Sequence, residues 1–170
     1  MSRLNSLSDT AFEMLIERAR VLTERGQCCP LACGVDRRSA MPPCGAIASG
    51  ARVASFAVHR GEEPPVSGER GAGNVFFSGC SLGCVFCQNF PFSHYNNGRD
   101  YPVAELTERI AALIEKKQAH NINLVTGDHY LLATLEALAP LRNRISAPII
   151  VNCSGWYAEE NLSITAQFAD

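Results

Sequence analysis

NVFFSGCSLGCVFCQN, residues 74–89, runs from a short apolar stretch straight into a loop that carries Cys80, Cys84 and Cys87. The opening NVFFSG reads as a buried strand that ends at Gly79. The cysteines follow at C-x3-C-x2-C spacing. Thiolates crowded this closely point to a metal centre. A structural zinc takes four closed ligands, so the loop is one short, with His94 or Cys153 left to complete the set. A redox pair of Cys84 with Cys87 leaves Cys80 without a role. Three merely buried cysteines is the bland alternative. An iron–sulfur cube held by three thiolates leaves one iron open to an external ligand.

Outward from this stretch the chain keeps a regular rhythm. Residues 103–117 predict a helix with Leu106, Ile110, Leu113 and Ile114 on one face. INLVT (122–126) and APIIVN (147–152) read as strands. Residues 131–139 are helical in pattern and stop at Pro140, and a last helix starts near residue 158. Strand–helix alternation predicts an α/β fold with a parallel sheet and right-handed crossovers. Ligands of such sheets sit at the carboxyl ends of the strands. The loops expected there are 80–87, 126–129 and 152–155.

Upstream, Ser8 or Asp9 is placed to cap a helix with the apolar face Phe12, Leu15, Ile16, Ala19 and Leu22, and Gly26 to stop it. A loop rich in cysteine, proline and glycine fills 27–49. ARVASFAVH (51–59) reads as a strand and 60–73 as a loop. There is no internal repeat. The expected organisation is a helix and cysteine-rich segment over 1–58, followed by an α/β unit over 59–170.

The chain has 170 residues, 46% of them hydrophobic, and a net charge of −2. This excludes a disordered tail and a basic nucleic-acid binder. The first residues lack the apolar run of a secretion signal, and no stretch approaches the ~20 apolar residues of a membrane span. A cytoplasmic protein with no nucleic-acid or membrane partner is expected. Its eight cysteines then argue for metal binding over a disulfide framework.

The C-x3-C-x2-C run, with Phe86 before its last cysteine, resembles the signature of radical S-adenosylmethionine enzymes. More closely, residues 59–89 (HRGEEPPVSGERGAGNVFFSGCSLGCVFCQN) and 120–130 (HNINLVTGDHY) resemble proteins related to pyruvate formate-lyase activating enzyme. So do CPLACGVDRR (29–38) and VNCSGW (151–156). The resemblance spans most of 27–156 and implies a partial parallel (βα) barrel of about six units.

That resemblance implies a 4Fe–4S cluster on Cys80, Cys84 and Cys87. It implies S-adenosylmethionine contacts from Phe86, from Thr126, Gly127, Asp128 and His129, and from Asn152 and Ser154. It implies an electron donor such as flavodoxin or ferredoxin, and a protein substrate. The run VTGDHY departs from the expected VTP with a small polar residue, and Cys153 stands where threonine is expected. Cys153 offers a second metal site or, more simply, a buried small residue. Cys29, Cys33 and Cys44 match the cysteines of an N-terminal family pattern, with Cys28 out of register; zinc, a second cluster and inert thiols are all open. Glu62 and Glu63 either orient substrate, join a polar network or belong to a solvated loop, the plainer account. His59 and His120 read as structural.

The chain stops at Asp170 after about three βα units, so an incomplete barrel with an unpaired edge is expected. Three functional readings compete. One is a radical enzyme of the activase type that cleaves S-adenosylmethionine for hydrogen abstraction. Another is a non-catalytic zinc or iron–sulfur fragment. The third is an inactive fragment that keeps the motif but cannot complete the pocket.

Overall fold

The computed structural model describes residues 2–170. Five strands form a single sheet: β1 (Ala51–His59), β2 (Ala72–Phe77), β3 (Arg99–Tyr101), β4 (Asn121–Val125) and β5 (Ile149–Asn152). Their spatial order is β3-β1-β2-β4-β5. The longer helices are α1 (Asp9–Glu24), α2 (Val103–Glu115), α3 (Leu131–Leu138) and α4 (Glu159–Phe168).

The expected parallel core is present. β2 pairs parallel with β4 and β4 with β5, through crossovers that contain α2 and α3. Each parallel strand is followed by a helix, the expected three βα units. The sheet as a whole is mixed and open, which corrects the simple partial barrel. β1 runs antiparallel to β2, and β3 antiparallel to β1. The edge of β2 is therefore covered, and only β3 and β5 are edges. A nine-residue β1 reaches β2 through the 60–71 loop, whose length allows a reversal that a crossover helix would forbid.

Strand alternation divides the sheet into two unlike faces. Val75 and Phe77 of β2, Ile122 and Leu124 of β4 and Ile149 of β5 share one buried core with Leu106, Ile110 and Leu113 of α2 and Leu135 and Leu138 of α3. Ile114, expected on the same α2 face, is half-buried against this core. The other face carries Asn74 and Asn123, both buried. That second side of the sheet therefore mixes buried amides with Phe76, Val125 and Ile150, which stand in register with them.

The N-terminal segment joins the same core. The Ala11 N–H donates to Ser8 Oγ at 3.2 Å, so Ser8 is the cap of α1. Phe12, Leu15, Ala19 and Leu22 are buried, and Gly26, at φ 63°, stops the helix as expected. Cys28, Cys29 and Cys44 lie in the core beside them. The end of the chain is pinned to the start of β5: the Ile149 N–H donates to Asp170 Oδ2 at 2.9 Å, and the Asp170 N–H donates to Ile149 O at 2.8 Å.

Candidate radical-chemistry site at the strand ends

β2 ends at Phe77, and the next residues carry the chain into the three-cysteine loop. Gly79 has φ 81°, and a Cβ there would lie 2.1 Å from the Cys44 carbonyl oxygen. No other residue type fits so close to that backbone. The contact seats the cysteine loop against the N-terminal cysteine segment. The Gly79 N–H donates to Phe92 O at 2.8 Å, which closes the loop around Cys80–Cys87.

Two further hydrogen bonds brace the loop from β4. Ser81 Oγ donates to Asp128 Oδ2 at 3.1 Å, and His129 Nε2 donates to Ser78 O at 2.9 Å. His129 is 0% exposed, and its Nδ1 lies 3.5 Å from Asp128 Oδ1 without hydrogen-bond geometry. Thr126 takes the left-handed conformation, φ 49°, and its N–H donates to Asn152 O at 2.9 Å. The 80–87 loop, the 126–129 turn and Asn152 therefore share the carboxyl end of the parallel strands.

The sequence-derived residues separate into two groups by exposure. Phe86 is 86% exposed, and Val85 beside it is fully open. Leu82, Phe90 and Tyr95 are exposed around them. Asn152 and Ser154 are exposed, and Thr126 and Gly127 are half-buried. Asp128 and His129 are buried and engaged with Ser81 and Ser78. They hold the cysteine loop directly. Asn161 of α4 supports them from behind, donating from Nδ2 to Asp128 O at 2.8 Å and to Cys28 O at 2.5 Å. Neither Ser81 nor Asn161 stood out in the sequence, since single polar residues in a loop and a helix carry no spacing signal.

Cys80, Cys84 and Cys87 are free thiols, each half-buried. The Leu82 N–H approaches Cys80 Sγ at 3.4 Å, and Cys87 Sγ lies 3.3 Å from Ser93 Oγ. Among the described residues no group of three or more His, Cys, Asp or Glu is gathered tightly enough for a single metal ion. A cube gives each thiolate its own iron, so its ligands sit at separate corners. Cys80, Cys84 and Cys87 are three free thiols on one loop, with a backbone donor at Cys80.

The remaining cysteines divide among different partners. Cys28 Sγ lies 3.0 Å from Thr23 Oγ1, and burial pushes its thiol up. Cys33 faces Gly26 O at 3.8 Å. Cys29 and Cys44 lie beside each other, and their contact holds the Cys44 thiol below its ordinary value while it and burial push Cys29 up. Cys153 is exposed, which corrects the buried small residue expected there; it follows β5 out of the sheet. Glu62 is half-buried and bonded to Asn74 and His59, which favours the polar-network alternative over the plainer solvated loop.

The family model for the radical SAM superfamily matches residues 74–167, more than half of the chain. The chain belongs to the radical SAM superfamily. Its match begins inside β2 and ends in α4, so it spans all three braced segments of the strand-end site. Members of the radical SAM superfamily characteristically bind a 4Fe–4S cluster and S-adenosylmethionine. An uncharacterized protein of Methanocaldococcus jannaschii is 29% identical over 103 residues, which is 56% of this radical SAM chain. The chain spans 30% of that relative's length. No solved structure matches it. Among the described residues no helix is long and apolar enough to cross a membrane.

Proposed function

We propose that Cys80, Cys84 and Cys87 hold a 4Fe–4S cluster, and that this chain uses it with S-adenosylmethionine for hydrogen abstraction of the activase type. The observation that carries the reading is the bracing of the cysteine loop by Asp128 and His129 at the carboxyl end of β4. Cys80, Cys84 and Cys87 would hold that cluster, whose chemistry when bound and reduced would be one-electron cleavage of S-adenosylmethionine to methionine and a 5′-deoxyadenosyl radical.

The chain's own residues position and shield. The Leu82 N–H points at Cys80 Sγ from 3.4 Å and helps to fix where that sulfur lies. The Asp128–Ser81 and His129–Ser78 bonds fix where the loop sits relative to β4, and positioning of this kind is worth orders of magnitude in rate. Phe86, beside Cys87 and open to solvent, offers an aromatic surface to a purine. Thr126 and Asn152, joined through the backbone, offer polar groups on the neighbouring strand ends. Flavodoxin or ferredoxin is the proposed electron donor and a protein the proposed substrate, in a cytoplasmic setting.

The test is anaerobic reconstitution with iron and sulfide, followed by reductant and S-adenosylmethionine. Bound iron and sulfide near four each per chain, with 5′-deoxyadenosine released, is the expected result. Unchanged iron content after replacing each of Cys80, Cys84 and Cys87 by alanine overturns the assignment. Zinc bound in place of iron, with no cleavage, would favour the non-catalytic reading.

A further inference from the structure

The second face of the sheet carries a relay whose direction is fixed by one carboxylate. Asn74 Nδ2 lies 2.8 Å from Glu62 Oε1, and Asn123 Nδ2 lies 3.0 Å from Asn74 Oδ1. A carboxylate only accepts hydrogen bonds. Asn74 must therefore turn its amide nitrogen to Glu62 and its oxygen to Asn123. Asn123 must then turn its nitrogen back to Asn74. This order removes the usual ambiguity of amide orientation. It leaves Asn123 Oδ1 at the end of the relay, buried and without a donor, on a residue that is 0% exposed. Asn121, two residues earlier on β4, ends the same way: its Nδ2 donates to Val66 O at 2.6 Å, and its Oδ1 has no donor.

An open cleft of about 370 Å³ lies over the relay. Glu62, Glu63, Val66, Asn123, Asn152 and Cys153 line it. None of its lining residues is basic. The charged groups it offers are both carboxylates, Glu63 and the already bonded Glu62; beside them stand the orphaned Asn123 oxygen, the Asn152 amide and the Cys153 thiol. A buried acceptor left without a donor is costly, and a charged donor satisfies carboxylates best. The cleft reaches Asn152 at the carboxyl end of β5, so it opens toward the cysteine loop's end of the sheet.

We infer that this cleft binds a primary ammonium group, and that the substrate of this protein carries an amine. The ammonium would be held by Glu63 and the Asn123 carbonyl, which line the same cleft, with Glu62 behind the relay. The cleft suits a side chain or a small amine in size. The substrate assignment rests on the proposed radical reaction at the strand ends; the binding itself does not.

The experiment uses the 15N-labelled chain without iron, so that its outcome is independent of cluster chemistry. n-Butylammonium chloride and n-butanol are titrated at constant ionic strength, and the side-chain amide signals of Asn74 and Asn123 are followed. The expected result is a saturable shift of both signals with n-butylammonium alone. Glu63→Gln is expected to weaken binding about tenfold, or 1.4 kcal/mol. Glu62→Gln is expected to weaken it as well, because a side-chain amide at 62 no longer dictates the direction of the relay. Equal shifts with n-butanol, no saturable shift with n-butylammonium, or unchanged affinity in both variants overturns the inference. Loss of iron binding in the reconstitution described above would overturn the proposed function and leave this result standing.

Discussion

Ser81 and Asp128, 47 residues apart, meet in a buried 3.1 Å hydrogen bond that ties the cysteine loop to the end of β4. Removing the donor leaves a buried carboxylate oxygen without its partner, at a cost of about 1–3 kcal/mol. Ser81→Ala is therefore expected to keep the fold but loosen the loop. The measurement is bound iron after anaerobic loading, together with the urea midpoint. A variant with wild-type iron content and an unchanged midpoint would show that the bond does not matter.

Gly79 and Gly83 form a matched pair for a second prediction. Both have positive φ, 81° and 64°, but a Cβ at Gly79 meets Cys44 O, while at Gly83 it meets nothing within 4 Å. Gly83→Ala should cost only the strain of a left-handed alanine, about 1–2 kcal/mol. Gly79→Ala carries that strain and must also push the Cys44 segment away. Thermal unfolding of the two variants should rank Gly79→Ala clearly lower; equal melting temperatures would contradict the close approach.

Ile110 on α2 is fully buried against the sheet. Ile110→Ala should cost about 2–5 kcal/mol, through lost apolar burial and a residual cavity. Glu108, exposed on the same helix, serves as a control: Glu108→Ala should be far milder. Denaturant titration compares the two, and equal destabilisation would place the α2 face wrongly.

Asp100 on the edge strand β3 faces Arg52 of β1, with Arg52 Nε donating to Asp100 Oδ1 at 2.5 Å. That hydrogen bond holds the Asp100 carboxyl below its ordinary 3.8. A carboxyl depressed in the folded state adds stability that is fully present above the unfolded value. This contribution is lost as pH falls through the lower folded value. The pair is partly exposed, so the gain is under ~1 kcal/mol. Asp100→Asn should thus be slightly less stable than the parent at pH near neutrality, with the gap closing below about pH 4. Unfolding curves across that range give the answer, and a gap that widens in acid would contradict the pair.

Much of this architecture was legible because it follows from periodicity. The strand at Ala51–His59 and the helix starting at Val103 stand where hydrophobic spacing put them. Strand direction has no such signature, and so the antiparallel β1 was not foreseen. β3 is three residues long, Arg-Asp-Tyr, and too polar and short to register as a strand; a cross-strand ion pair and the Phe56–Tyr101 ring contact hold it. The polar relay was hidden for another reason. Asn74 and Asn123 lie inside stretches whose apolar neighbours dominate, and the two-residue spacing of Asn121 and Asn123 acquires meaning only once both stand on one face of β4. The cysteine loop was readable at once because its spacing is local. Its braces are not, since Ser81, Asp128 and Asn161 come from three distant parts of the chain.

Asn161 joins Asp128 O to Cys28 O from within α4, near the end of the described chain. On the ribosome, the cysteine loop, β4 and the N-terminal segment all emerge before this side chain exists. The turn that holds Ser81 then gains its rear support only when α4 is made and docks. The loop reaches its full bracing only after α4 has emerged and docked, so iron loading depends on a helix made well after the cysteines. An early-emerging thiol trio would meet the cell's metals while still loosely held, and its selectivity would then depend on which arrives after α4 has closed behind it.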